Sequence, residues 1–204
     1  MSTRDQILDS AWSLFSKRGF EEVSVRDVTN DAGVNLASVS YHVGSKDGRS
    51  QEVVKKVLNP ANEHRLSLLG KVVTEQGGVE QVSLQQILEC YIRPVMFPEE
   101  HGSNLDILTR LAARYLIERD YDVPSSVLTL FGEVFKNYIG IISIKAKHLS
   151  HEDIMRRLLF CIGSGLHYQS FCSLADKVRG VEGEYDREAN FHELVKFVLA
   201  GFSS

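Results

Sequence analysis

Apolar residues recur at three- and four-residue intervals along almost the whole chain, and that period excludes most architectures at once. Ile7, Leu8, Ala11, Leu14 and Phe15 fall at i, i+1, i+4, i+7 and i+8, one face of a helix that Gly19 should end. Val53, Val54, Val57, Leu58, Leu66 and Leu69 mark a longer helix starting near Lys46, which Asn59-Pro60 is expected to kink or break. Beyond Gly77-Gly78, further stripes run through Leu84 to Ile92, Leu105 to Tyr115, Val127 to Ile142, Ile154 to Tyr168 and Phe191 to Leu199. Pro94 and Pro98 should stop the first of these, and Pro124 suits the first turn of the third. No stretch alternates apolar and polar residues between hairpin turns, so strands are not expected. The fold class is all-α.

At 204 residues the chain slightly exceeds one ordinary domain of about 150 residues. With 43% hydrophobic and 25% charged residues it can bury a core and is not a disordered polymer. Cys90, Cys161 and Cys172 are odd in number and lie in apolar surroundings, which suits reduced, packed thiols better than a disulfide framework. The N-terminus lacks the apolar run of a signal peptide, and charged residues interrupt every window of about 18 residues that might span a bilayer. A cytoplasmic protein with no membrane partner is expected. The net charge of −4 by itself gives no reason to expect nucleic acid.

The first 49 residues hold the informative pattern. Ser24 is placed to cap a short helix from Val25 to Ala32, with Asp27 at the third position, where a capping box puts an acid. Gly33 should end that helix, and a further short segment, 36–42, follows before Gly44. Helix, tight glycine turn and second helix make a helix-turn-helix, with Val28, Val34 and Val39 available to pack it. The second helix then presents Ala37, Ser38, Ser40, Tyr41 and His42, short and polar groups suited to a major groove.

The run Ser24-Val25-Arg26-Asp27-Val28, then Ala32-Gly33-Val34-Asn35, then Val39-Ser40-Tyr41-His42-Val43-Gly44-Ser45-Lys46, resembles the DNA-binding domain of TetR-type transcriptional regulators. Val43 stands where that family usually has an aromatic residue, and Gly48 where helix formers are commoner. The resemblance implies a three-helix DNA-binding domain at 1–48 and a helical ligand-binding and dimerisation domain at 49–204. Carried over position by position, Lys46 would contact a phosphate, and Tyr41 and His42 would lie near the DNA backbone. Asn35, Leu36, Ala37, Ser38 and Ser40 would face base edges or flanking phosphates, while Ser24 and Arg26 would anchor the backbone. Other roles stay open: Tyr41 and His42 also suit packing, Ser24 a simple cap, and Lys46 a solvated surface.

The resemblance further implies a homodimer through helices near 151–174 and 187–202, on double-stranded operator DNA, released by a small hydrophobic effector. The effector would sit between helices at 84–145, with Leu88, Ile92, Met96, Leu108 and Leu111 as candidate liners. Tyr115, Phe131, Phe135, Tyr138 and Ile142 complete that set. The phrases Ala32 to Ala37, Gly132 to Tyr138 and Leu159 to Gly163 are similar to fatty-acid-responsive members. A fatty acid or acyl-CoA is therefore the expected class, with Arg110 or Arg114 facing its carboxylate.

Residues 1–56 carry eight Lys/Arg and eight Asp/Glu, so the whole of the −4 lies beyond them. Non-specific DNA binding should be weak, with affinity coming from a few phosphate contacts, base readout and dimeric presentation. The same balance suits a second reading, a helical small-molecule-binding or scaffold protein without DNA binding. Enzymatic readings find no support. Gly163-Ser164-Gly165 lacks the spacing of a nucleophile elbow, and Gly44-Ser45-Lys46 lacks that of a phosphate loop. His148 and His151 with Glu152 and Asp153 read as a solvated helix start rather than a metal site. No catalytic group, metal or cofactor is expected.

Overall fold

The computed structural model describes residues 3–18, 22–35, 46–102, 125–179 and 186–203. Among them run seven α-helices and no strand. They are α1 (Thr3–Arg18), α2 (Val25–Ala32), α3 (Lys46–Glu75), α4 (Leu84–Met96), α5 (Ser125–Lys145), α6 (His151–Arg179) and α7 (Arg187–Phe202). Short 3₁₀ turns lie at Val79–Gln81 and Pro98–His101. The helical period of the sequence thus becomes helix wherever the structure describes it. The segment 36–42 and the stripe from Leu105 to Tyr115 lie outside the described residues.

Each helix start that carries a side-chain cap obeys the same chemistry, because the first backbone N–H groups of a helix have no partner within it. Ser24 accepts from the Asp27 amide at 3.2 Å, and its own amide donates to the Asp27 carboxylate at 2.8 Å. Ser83 and Gln86 repeat that reciprocal pair at the start of α4. Ser150 accepts from the Asp153 amide at 3.1 Å at the head of α6, and Asp186 from the Ala189 amide at 2.9 Å at the head of α7. At the other end of α2, Gly33 takes φ +64°, a left-handed conformation that costs a glycine nothing.

The chain forms two compact units. One contains α1, α2 and α3 as far as Asn59; the other contains α3 from Pro60, α4, α5 from Phe131, α6 and α7. In the first, α1 packs on α2 and buries Ile7, Leu8, Ala11, Leu14, Val23 and Val28. In the second, α4 packs against both α6 and α7. Its core joins Ile87, Leu88, Tyr91, Ile92 and Met96 of α4 with Tyr138 and Ile142 of α5. Ile154, Leu158 and Cys161 of α6 and Phe191, Val195 and Phe202 of α7 complete it.

The break expected at Asn59-Pro60 does not occur, because α3 runs through it. α4 ends at Met96, between Pro94 and Pro98 as expected, although it holds Pro94 within its last turn. A helical proline removes one backbone hydrogen bond, a loss of about 3 kcal/mol that tertiary packing on either side outweighs. Ala61, Asn62, Arg65 and Leu69 bury the face of α3 just beyond Pro60, and Pro94 itself is buried. The inner face of α3 is correspondingly less apolar than Leu66 and Leu69 imply.

Several side chains tie down the end of α4. Its last carbonyls would be orphans, and side chains take them: Gln169 of α6 donates to the oxygens of Val95 and Met96 at 3.2 and 2.8 Å. The His101 ring lies 2.9 Å from the Pro94 oxygen, so Nε2 carries the proton and donates. Arg93 reaches Glu100 at 2.6 Å and Glu188 of α7 at 3.0 Å, and stacks 4.4 Å above Phe97. Gly165 lets α6 approach α4 closely, since a Cβ there would stand 3.2 Å from Val95 Cγ1.

Candidate functional site

The described part of the DNA-facing candidate is α2 and the turn that follows it. Arg26 is exposed at the first turn of α2, and Asn35 is exposed just past Gly33. Ser24 is exposed too, but its hydroxyl is engaged by Asp27 in the capping box. The Ser24 hydroxyl and amide hold the Asp27 carboxyl below the ordinary aspartate value, with Arg18 3.4 Å away adding a smaller pull. Ser24 therefore acts as a cap first. Leu36, Ala37, Ser38, Ser40, Tyr41 and His42 lie outside the described residues. Lys46 begins α3, though its side chain is likewise outside them.

The ligand candidates divide three ways. Leu88, Ile92, Met96, Tyr138 and Ile142 are fully buried members of the packed core. Phe131 and Phe135 are half-buried, their rings stacked at 6.1 Å one turn apart on α5. Leu108, Arg110, Leu111, Arg114 and Tyr115 lie outside the described residues. Cys90 and Cys161 are buried free thiols; burial pushes them up to about 11 and about 12, so neither ionises at neutral pH. Among the described residues no group of three His, Cys, Asp or Glu side chains could hold a metal, and no helix is long and apolar enough to cross a membrane.

One residue of this region escapes a reading by stripes. Arg65 of α3 is buried at 6% exposure. Its Nε donates to the Tyr91 carbonyl at 2.9 Å and its Nη1 to Asn62 Oδ1 at 2.8 Å. The guanidinium carbon stands 5.4 Å from the centre of the Tyr91 ring, and the Tyr138 hydroxyl donates to the Arg65 carbonyl at 3.0 Å. The signal in the sequence is the spacing Ala61, Asn62, Arg65, Leu69, which puts an arginine on an inner face, but an exposed face would read the same.

The candidate dimer helices show an unusual surface. The inner stripe of α6 is Ile154, Leu158, Cys161, Gly165 and Gln169. At about 100° per residue, Phe160 and Val178 share a direction well away from that stripe. Phe160 is 65% exposed, Val178 79%, and Phe197 of α7 71%, with Met155 and Leu159 also exposed. A helix apolar on both sides is one that buries both.

Seven described helices, with this turn, these caps and this second face, define an all-helical two-unit architecture. Comparison with known proteins specifies it. Residues 7–48 match the family model for bacterial regulatory proteins of the tetR family, and residues 89–201 match that for the Tetracyclin repressor-like C-terminal domain. The chain belongs to the TetR family, whose members regulate transcription through DNA and are not enzymes. It is 39% identical over 139 residues to the probable HTH-type transcriptional regulator YttP of Bacillus subtilis, covering 68% of this chain and 58% of that one. It is 34% identical over 58 residues to the HTH-type transcriptional repressor KstR2 of Mycolicibacterium smegmatis, 28% of either chain. The matched stretch thus spans little more than half of the one relative and about a quarter of the other. In fold it is similar to HlyIIR, a hemolysin II transcriptional regulator, with TM-score 0.62, 19% identity and 95% of each chain covered.

Proposed function

We propose that this chain is a ligand-responsive transcriptional repressor that binds a palindromic operator as a homodimer and is released by a small hydrophobic effector. The observation that carries the reading is the left-handed turn at Gly33, which closes α2 inside the stretch matching the tetR-family model. Residues 1–48 bind the DNA, and 49–204 bind the effector and dimerise. Arg26, Asn35 and Lys46 contact the backbone or base edges, with Leu36, Ala37, Ser38, Ser40, Tyr41 and His42 completing the interface. Ser24 fixes the start of α2. The exposed apolar residues of α6 and α7 support dimerisation through those two helices.

A two-fold dimer places its recognition helices about one helical turn of DNA apart, so the operator has two half-sites at that spacing. Effector binding lowers DNA affinity only by as much as it favours a dimer state whose two helices no longer fit adjacent grooves. A fatty acid or acyl-CoA is the effector class proposed. The protein works in the cytoplasm, where such DNA lies.

The test is selection of fragments from the source genome by the purified protein, followed by a salt titration on the best one. A palindromic site is expected, and Lys46→Ala should weaken binding on every sequence by roughly tenfold while reducing the salt dependence by about one ion. Replacing Ser38 should instead change preference at one position. Nothing recovered above background at low salt would sink the repressor reading.

A further inference from the structure

Among the described residues Arg65 is the one charged side chain that is buried. Buried charges are normally paired, because an ion taken from water loses more than neutral partners return. Among the described residues Arg65 has neutral partners only: the Tyr91 carbonyl, the Asn62 side-chain oxygen and the Tyr91 ring. Two of its five N–H groups are spent, and the other three meet no acceptor among the described residues. Arg93, on the same helix as Tyr91 and far more open to solvent, holds two carboxylates. Among the described residues the pairing is thus inverted: the exposed arginine has counter-ions and the buried one has none.

The surrounding titratable groups do not neutralise it. Glu100 accepts from Arg93 and lies 3.3 Å from His64, which commits its carboxylate elsewhere. His101 donates to the Pro94 oxygen, and burial holds its pKa below the ordinary histidine value, so it adds no second cation. The partial negative charge of the Tyr91 carbonyl and ring face steadies the guanidinium without cancelling it.

We propose that Arg65 is the anion anchor of the effector site, taking the carboxylate of a small apolar acid. A planar guanidinium with free N–H groups on adjacent nitrogens matches a carboxylate's two oxygens. One cation with no second beside it among the described residues suits a monoanion rather than a phosphate dianion. The apolar body follows from the neighbours Tyr91 and Tyr138, which add no further charge. This assignment rests on the effector-binding reading above, and it places the charge on α3 rather than on Arg110 or Arg114.

The experiment compares decanoic acid with decan-1-ol on the purified full-length chain by titration calorimetry, for the native protein and Arg65→Gln. The native protein should prefer the acid by about 100-fold, the size of losing charge-assisted hydrogen bonds, and Arg65→Gln should remove that preference by weakening the acid alone. Arg65→Lys, which keeps the charge, should retain part of it. A second measurement needs no variant: the carboxyl of ¹³C-labelled decanoic acid bound to the native protein should titrate about one unit or more below the free acid. Equal affinity for acid and alcohol, a carboxyl raised on binding, or an intact preference in Arg65→Gln would overturn the proposal. If neither probe binds the native protein, the effector reading fails and takes this one with it; equal binding of both removes the role of Arg65 alone.

Discussion

Ser24 has two claims on it, and its geometry ranks them. A hydroxyl that accepts from the Asp27 amide and donates to the Asp27 carboxylate has its hydrogen already spent. A phosphate needs donors, so Arg26, exposed and two residues on, is the better anchor. Ser24→Ala should therefore cost about 1 kcal/mol of stability, seen in thermal unfolding, with Ser24→Asn recovering most of it. The pH dependence carries a definite sign. Asp27 has a folded pKa below its ordinary 3.8, held there first by the Ser24 hydroxyl and then by its amide. Its contribution is complete above the ordinary value and is lost as pH falls through the lowered one. Between about pH 5 and about pH 2, Ser24→Ala should lose less further stability than the native chain does. An equal loss in both would show that the capping box is not what lowers Asp27.

Helix by helix, ends matter more than propensity. Gln169 lies mid-way along α6, yet its amide serves the last carbonyls of α4. Gln169→Leu keeps the volume and leaves those oxygens without their side-chain donor, so a loss of roughly 1–3 kcal/mol is expected in chemical denaturation. Gly165 makes the opposite case. Alanine is the better helix former by about 1 kcal/mol, but the new methyl would press on Val95, itself buried and held through its carbonyl by Gln169. Overpacking of about 1–3 kcal/mol should win, and Gly165→Ala should melt below the native protein. A rise in Tm would mean that α4 and α6 yield more readily than this contact implies.

For the whole molecule, the telling feature is apolar surface that one chain leaves uncovered. Phe160, Val178 and Phe197 stand mostly in water while the opposite side of α6 is sealed into the core. Two-fold association buries the same patch on both copies, which makes it an economical remedy. The double variant Phe160→Glu with Phe197→Glu should sediment as a monomer, keep its helical circular dichroism and lose operator binding by at least about 100-fold, since one half-site remains. A variant that stays dimeric would place the interface elsewhere.

Much of this was legible in order along the chain. Helix period, the cap at Ser24 and the stop at Gly33 depend on residues within four positions of one another, so the all-α class and the α2 turn can be read straight along the chain. The TetR resemblance was legible for the same reason, because the anchors Ser24 to Lys46 are local. Pro60 misled because a proline's cost is local while the packing that outweighs it comes from distant helices. Which apolar stripe faces inward was equally hidden: Ile154 and Phe160 have similar transfer energies, and only the arrangement of α4, α6 and α7 separates core from surface. Arg65 shows the limit most plainly. Its charge is written in the sequence, but its burial, with no counter-ion among the described residues, comes from three helices meeting and exists only once they have packed.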